Sequence, residues 1–463
     1  MKGIDMKKII VKILSLLSCI LLIGCGREIS NQRPDGVDME VKKNVPKVTQ
    51  TKQKQEITIA LDYWVAQKYN EIIENFNASS EEYVVTVMTN KDDMNAFRDS
   101  IIKDMESGKG PDIIDGMLIN NITAIQKPIQ KQYVQPWGEV FSEEEIEKNF
   151  FPGVFDTGTY EEALYGIPYE WTGYILVTTK ERCNGLDTWN REQMMEWVRA
   201  SGAKNVAANV PDWQLLVNGM LYDKTGTDII DWENKTCNFM QQKVYDYLKF
   251  IKEYGSSISY SDKSEKKAKT GEDFAWYDFL FLNDMNYYEA IFEEEIVYIG
   301  FPAEKGKSIP TYTELLYLNS ACENKEGAIS FIKHLLSYES QNIRVKNLVE
   351  MRTSGAYSIR KDTMDYHIEL EKNAREGRHA FELYGELYGN PSMTEEQEKQ
   401  VRDMLDNLVF TNCYMEELAY RRVLNALDGY LNGTQTEEET AALMQREAEE
   451  FFADMDLTVT NMH

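Results

Sequence analysis

The order of hydrophobic patterns after residue 56 constrains this chain most. Residues 57–61 (ITIAL) form a short, β-branched apolar run that predicts a strand, and residues 65–76 carry apolar side chains at helical spacing. Residues 83–88 predict a second strand and 94–105 a second helix; GKGPDII, at 108–114, predicts a turn feeding a third short strand. A parallel pairing needs a crossover long enough to hold a helix, so strand, helix, strand, helix, strand is the signature of a sheet covered on both faces. The folded part therefore opens as an α/β layer.

Beyond Leu164 the pattern changes. Residues 189–200 predict a helix with Met194, Trp197 and Val198 on one face, opened by Asn190 and Gln193 as a capping pair and closed by Gly202. Residues 244–254 predict another helix, 273–280 an aromatic-rich extended segment, and 296–300 and 314–318 further strands. The helix expected at 326–337 has Ala328, Phe331, Ile332, Leu335 and Leu336 as its apolar stripe. The tail is mostly helical, with Thr436 and Glu439 as a capping box before Ala441, Met444, Ala448 and Phe451. No fixed-period repeat stands out, and 463 residues suffice for two or more domains.

The first residues read as an address rather than as fold. Lys7 and Lys8 precede an apolar stretch at 9–23, and Leu22-Ile23-Gly24-Cys25 matches a lipobox, so residues 1–24 are expected to be a signal peptide and Cys25 a lipidated N-terminus. Residues 25–55, polar and interrupted by Pro34 and Pro46, are expected to be a flexible tether on the outer face of the cytoplasmic membrane. Formal charge is −27 and becomes about −30 without the signal, because Lys2, Lys7, Lys8 and Lys12 leave with only Asp5. Such a field disfavours nucleic acid as a partner. Cys183, Cys237, Cys322 and Cys413 are widely spaced with no CxxC, leaving one or two disulfides open, and four scattered histidines form no HExxH; neither a metal nor a cofactor is expected.

LYGIPYEWTGYILVTT, at 164–179, sets Glu170 beside Trp171 within apolar, extended chain, where an unpaired carboxylate would cost several kcal/mol. Taken with GPDII at 110–114, TWNREQMMEWV at 188–198, VYIGFPAEKG at 297–306, NKEGAISFIKHLLSYESQ at 324–341 and YLNGTQTEEE at 430–439, the chain resembles the extracellular solute-binding proteins of sugar ABC importers, the maltose-binding-protein-like group. That resemblance implies a type II clamshell, with two lobes, each a mainly parallel sheet with flanking helices, joined by a hinge crossed more than once. Lobe 1 would comprise 56–168 plus about 296–355, and lobe 2 would comprise 169–295 plus about 356–463. It further implies a monomer without catalytic activity that captures a ligand between the lobes and delivers it to the transmembrane subunits of a permease. Residues 168–173 would then line the cleft at the hinge.

Sugars need flat aromatic faces for their C–H surfaces and polar groups for a rim of hydroxyls that both donate and accept. Candidate ligand-binding residues on these grounds are Asp62, Tyr63 and Trp64 after the first strand, Asp115 after GPDII, Glu170 and Trp171, Trp213 beside Asp212, and Trp276, Tyr277 and Asp278. Asp62, Asp115 and Asp212 have competing roles as helix caps or helix starts, and Trp189 and Trp197 are assigned to packing. Thr178-Thr179-Lys180, and Asp115-Gly116 after GPDII, depart from the more aromatic pattern common in the group. A cationic ligand such as a polyamine, or a peptide, is the alternative, because carboxylates beside aromatic faces also suit a cation. Anions would call for arginine, and none falls among the candidates, although Arg352 lies near the third hinge region. A glycoside hydrolase would need only two suitably spaced carboxylates.

Overall fold

The computed structural model describes residues 53–119, 126–207, 210–256, 264–351, 356–373, 380–389 and 391–460. The expected signal segment, Cys25, the expected tether up to residue 52 and Arg352 lie outside them. Among the described residues, ten strands join one sheet. Its parallel part sets Gln55–Ala60 between Tyr83–Met88 and Ile113–Asp115, with Gln55 opposite Tyr83 and Ile59 opposite Ile113. The connecting helices, Tyr63–Ser79 and Met94–Glu106, are the predicted ones. The first buries Val65, Ala66, Tyr69, Ile72, Ile73 and Phe76 as one stripe, starts where the Asp62 carboxylate accepts from the Trp64 N–H, and stops at Ser80.

Two long strands organise the rest. Gly166–Thr179 and Lys307–Asn319 pair antiparallel, from Gly166 opposite Tyr317 to Gly173 opposite Thr311. The register shifts between Glu314 and Leu315, which face Glu170 and Pro168, leaving Tyr169 as an extra residue. Pro168 has no N–H for a ladder, so an irregularity is where a sheet interior tolerates it. The parallel arrangement thus holds for the first three strands and for Leu408–Phe410 beside Lys307–Asn319. The long strands instead run antiparallel to each other and to Ile113–Asp115, Trp276–Phe279 and Ile296–Tyr298.

Two large hydrophobic cores flank this ribbon, beside a smaller one around Ile101, Ile114 and Tyr317. One gathers Ile57, Ile59, Tyr69, Trp137, Trp171 and Phe331; the other gathers Trp189, Val198, Tyr247, Phe274, Leu427 and Phe451. Helix Arg191–Ser201 has the full Asn190/Gln193 capping box and ends on Gly202 at φ +74°, a conformation that glycine adopts without penalty. Trp189 lies just ahead of that helix, stacked on Phe274, with its indole N–H donating to Gly300 O at 3.0 Å. Thr436 and Glu439 exchange their capping hydrogen bonds at the start of Glu437–Thr460. Cys183, Cys237, Cys322 and Cys413 are all free thiols. No described helix is long and apolar enough to cross a membrane.

Candidate functional site

Neighbouring residues of a strand point to opposite faces, so Glu170 and Trp171 cannot serve one surface. Glu170 shares a face with Glu314, its cross-strand partner; next along that face come Thr172 opposite Tyr312, then Tyr174 opposite Phe279. Glu170 is buried, whereas Thr172, Tyr174, Tyr312 and Glu314 are half-buried and Phe279 is 40% exposed. The ribbon therefore presents one strip that passes from paired acids through hydroxyls to aromatic rings. Its reverse face is core: Trp171 is 0% exposed, wedged among Phe151, Tyr357 and Phe410, with its indole N–H donating to Ser358 O at 2.8 Å.

At the acidic end the charges are arranged unevenly. Both Glu170 oxygens accept from Lys68 Nζ, at 2.8 and 2.7 Å, and Arg344 Nη1 stands 3.5 Å from one of them. Lys68 comes from the second turn of the opening helix and Arg344 from Tyr338–Met351. Asp115, buried at the end of its strand, accepts from the backbone N–H groups of Asp62 (3.2 Å) and Met117 (3.0 Å). Burial nevertheless pushes its carboxyl up to about 6. Gly116 lets this turn close, since a Cβ there would lie 3.0 Å from Leu315 O. Glu314 has no hydrogen bond or ion pair among the described residues, and withdrawal from water, with Asp115 and Glu170 adding to it, pushes its carboxyl up to about 8. No three of the described His, Cys, Asp and Glu side chains are grouped to hold a metal ion.

At the other end aromatic rings converge. Tyr174 stacks on Tyr277 at 5.4 Å and meets Tyr312 edge-on at 5.6 Å; Tyr222 meets Tyr312 at 6.4 Å, and Trp213 packs on Tyr420 at 5.8 Å. Tyr222 follows the π-helical turn Val217–Leu221, and Tyr420 lies within another, Glu417–Val423. Such wide turns redirect side chains and recur at functional sites. Glu416, just before the second turn, has its carboxyl pushed up to about 8 by burial.

Residues 64–342, more than half of the chain, match the bacterial extracellular solute-binding proteins. The chain belongs to that family. Comparison of the sequence with curated proteins gives no match. Solved structures share the fold of this solute-binding protein at low identity. The cyclic α-maltosyl-1,6-maltose binding protein from Arthrobacter globiformis aligns with a TM-score of 0.59 at 12% identity, over 87% of this chain and 100% of that one. The GacH receptor of Streptomyces glaucescens GLA.O, solved unliganded and with acarbose, aligns at 0.55 and 14%, over 87% and 100%. An ABC transporter solute-binding protein from Thermotoga lettingae TMO, bound with α-D-tagatose, aligns at 0.52 and 14%, over 86% and 100%. The type II periplasmic-binding-protein fold is thereby established.

Set against the sequence-based expectations, the structure of this family member gathers Asp62, Asp115 and Glu170 at the acidic end, with Tyr63 half-buried and Trp64 69% exposed on the adjoining helix turn. Trp213 and Tyr277 join the aromatic end. Trp171, Trp276 and Asp278 need correction as contacts on this strip. Alternation turns all three to the reverse face, where Trp276 is in the core and its N–H donates to Asp278 at 3.1 Å. Asp62 and Asp115 do act as caps, and Asp212 does begin a helix, Asp212–Leu216. Lys68, Tyr174, Tyr312, Glu314, Arg344 and Tyr420 were not anticipated. Alternation in YEWTGY and YTE marks Tyr174, Tyr312 and Glu314 once Glu170 is placed; the two cations have no local signal.

Proposed function

We propose that this solute-binding protein captures a sugar or oligosaccharide and hands it to the membrane subunits of an ABC importer, without chemistry on the chain itself. In this reading residues 1–24 are removed, Cys25 carries the lipid, and residues 25–55 hold a monomer at the outer face of the membrane. The lobes, 56–168 with about 296–355 and 169–295 with about 356–463, close on ligand as hinged domains do. The observation that carries the reading is the strip Glu170–Glu314, Thr172–Tyr312, Tyr174–Phe279, which sets hydrogen-bonding groups and ring faces in one row. Asp62, Tyr63, Trp64, Asp115, Trp213 and Tyr277 complete the contact set. The carbohydrate ligands named for the structural neighbours support the same class. Against a cationic ligand stands the Glu170 carboxylate, already engaged by Lys68 and Arg344.

The test is calorimetric titration of the purified protein with mono- and oligosaccharides, using polyamines and short peptides as controls. Saturable binding of one sugar set, weakened in Tyr312→Ala, is expected. Silence to every sugar with a polyamine response would replace the reading, and turnover of a glycan would end the claim that the chain only binds.

A further inference from the structure

Cross-strand neighbours on one face of an antiparallel pair have Cβ atoms about 5 Å apart, and like charges there repel. Glu170 and Glu314 are such a pair, at the register shift of the two longest strands. The available cations are divided unequally: Lys68 gives both of its contacts to Glu170, Arg344 approaches the same carboxylate, and Glu314 has no partner among the described residues. The charged and titratable groups that bear on Glu314 come from several elements. Asp62 and Lys68 come from the opening helix and its cap, Asp115 from the end of its strand, Tyr169 and Glu170 from the opposite strand, with Arg344 behind Glu170. Three of these are acids, and both cations are held by one of the three.

We propose that Glu314 meets the ligand as a neutral carboxylic acid and acts as a specificity-determining residue, donating its O–H to a ligand oxygen. The inference rests on the sugar-binding reading and narrows it to neutral, oxygen-rich ligands. A protonated carboxyl offers hydrogen bonds in both directions to a sugar hydroxyl or ring oxygen, and it offers no anion to an ammonium group. The carboxyl value of about 8 fits this role at neutral pH. Glu314 is also half-buried rather than sealed.

The experiment has two arms. In the first, affinity for the sugar selected by titration is measured between pH 7.5 and 9.5 for the wild type and Glu314→Gln. If only the protonated form binds, apparent affinity follows the protonated fraction, so the wild type should weaken at least about tenfold over that range. Glu314→Gln keeps a donor that does not titrate, should show no such fall, and should bind more tightly than the wild type at pH 9.5. A wild type flat across the range, or a variant falling in parallel with it, overturns the inference. In the second arm, the Glu314 carboxyl ¹³C resonance, identified by its absence in Glu314→Gln, is titrated without ligand. A midpoint near 8 is expected; a midpoint below about 5.5 overturns the inference whatever the protein binds. Absence of sugar binding at every pH would instead overturn the sugar reading itself.

Discussion

Trp171 offers a direct contest between a ligand contact and a core residue. Its ring is fully buried, 4.8 Å from Tyr357 and about 6 Å from Phe151 and Phe410, and its N–H satisfies the Ser358 carbonyl. Truncation of a buried tryptophan to alanine costs roughly 3–5 kcal/mol through lost contacts and the cavity left behind. Stranding a buried carbonyl adds about 1–3 kcal/mol where water cannot reach it. Trp171→Ala should therefore lose on the order of 4–8 kcal/mol. Trp171→Phe, which keeps most of the ring packing and loses the N–H, should lose about 2 kcal/mol. Equilibrium urea unfolding followed by circular dichroism reads both values, and sugar titration of the folded Trp171→Phe protein reads the second consequence: affinity within about threefold of the wild type, since the indole faces away from the strip. A Trp171→Ala protein within about 1 kcal/mol of the wild type, with sugar affinity reduced tenfold or more, would refute the reasoning and return Trp171 to the ligand.

The Lys68–Glu170 pair predicts a coupled double-mutant cycle. Lys68→Met should cost roughly 2–3 kcal/mol, less than the 3–5 typical of a broken buried pair, because Arg344 remains beside Glu170 and Lys68 is itself partly exposed. Lys68→Met with Glu170→Gln should cost clearly less than the two single changes added together, and strict additivity in urea unfolding would contradict the pairing. Tyr312→Ala removes the ring at the centre of the strip and should weaken sugar binding about tenfold or more by calorimetry, since stacked rings contribute beyond their buried area; unchanged affinity would remove Tyr312 from the site. Burial raises Asp284 to about 7 and Glu416 to about 8, so the folded chain keeps protons that the unfolded chain releases near pH 4. Stability should then fall as pH rises from about 4 through about 8 and level off above, and a urea midpoint higher at pH 8.5 than at pH 5 would reverse that sign.

Much of the fold was legible because its signals are local. The stripe Val65, Tyr69, Ile72, Phe76 and the cap Asp62 lie within a few turns of each other, and so do Asn190 with Gln193 and Thr436 with Glu439. The site was legible only in part. Pairing Glu170 with Trp171 by adjacency overlooked the two-residue period that the strand keeps beyond its register shift, and the same period sets Trp276 and Asp278 on the face opposite Tyr277. What neutralises Glu170 could not be read locally: Lys68 lies 102 residues away in sequence, and Arg344 comes from a later helix. The aromatic end is set by π-helical turns, whose extra residue leaves no mark in a hydrophobic pattern of helical spacing.

The most direct measurement is a crystal structure of the protein with the sugar that titration selects. The account predicts a sugar ring against Tyr312 and Tyr174, with hydroxyls within hydrogen-bonding distance of Glu314 and the Asp62–Asp115 turn, and Trp171 still enclosed among Phe151, Tyr357 and Phe410. A sugar bound on any other surface, or one that leaves Glu314 and Tyr312 without contact, would contradict it.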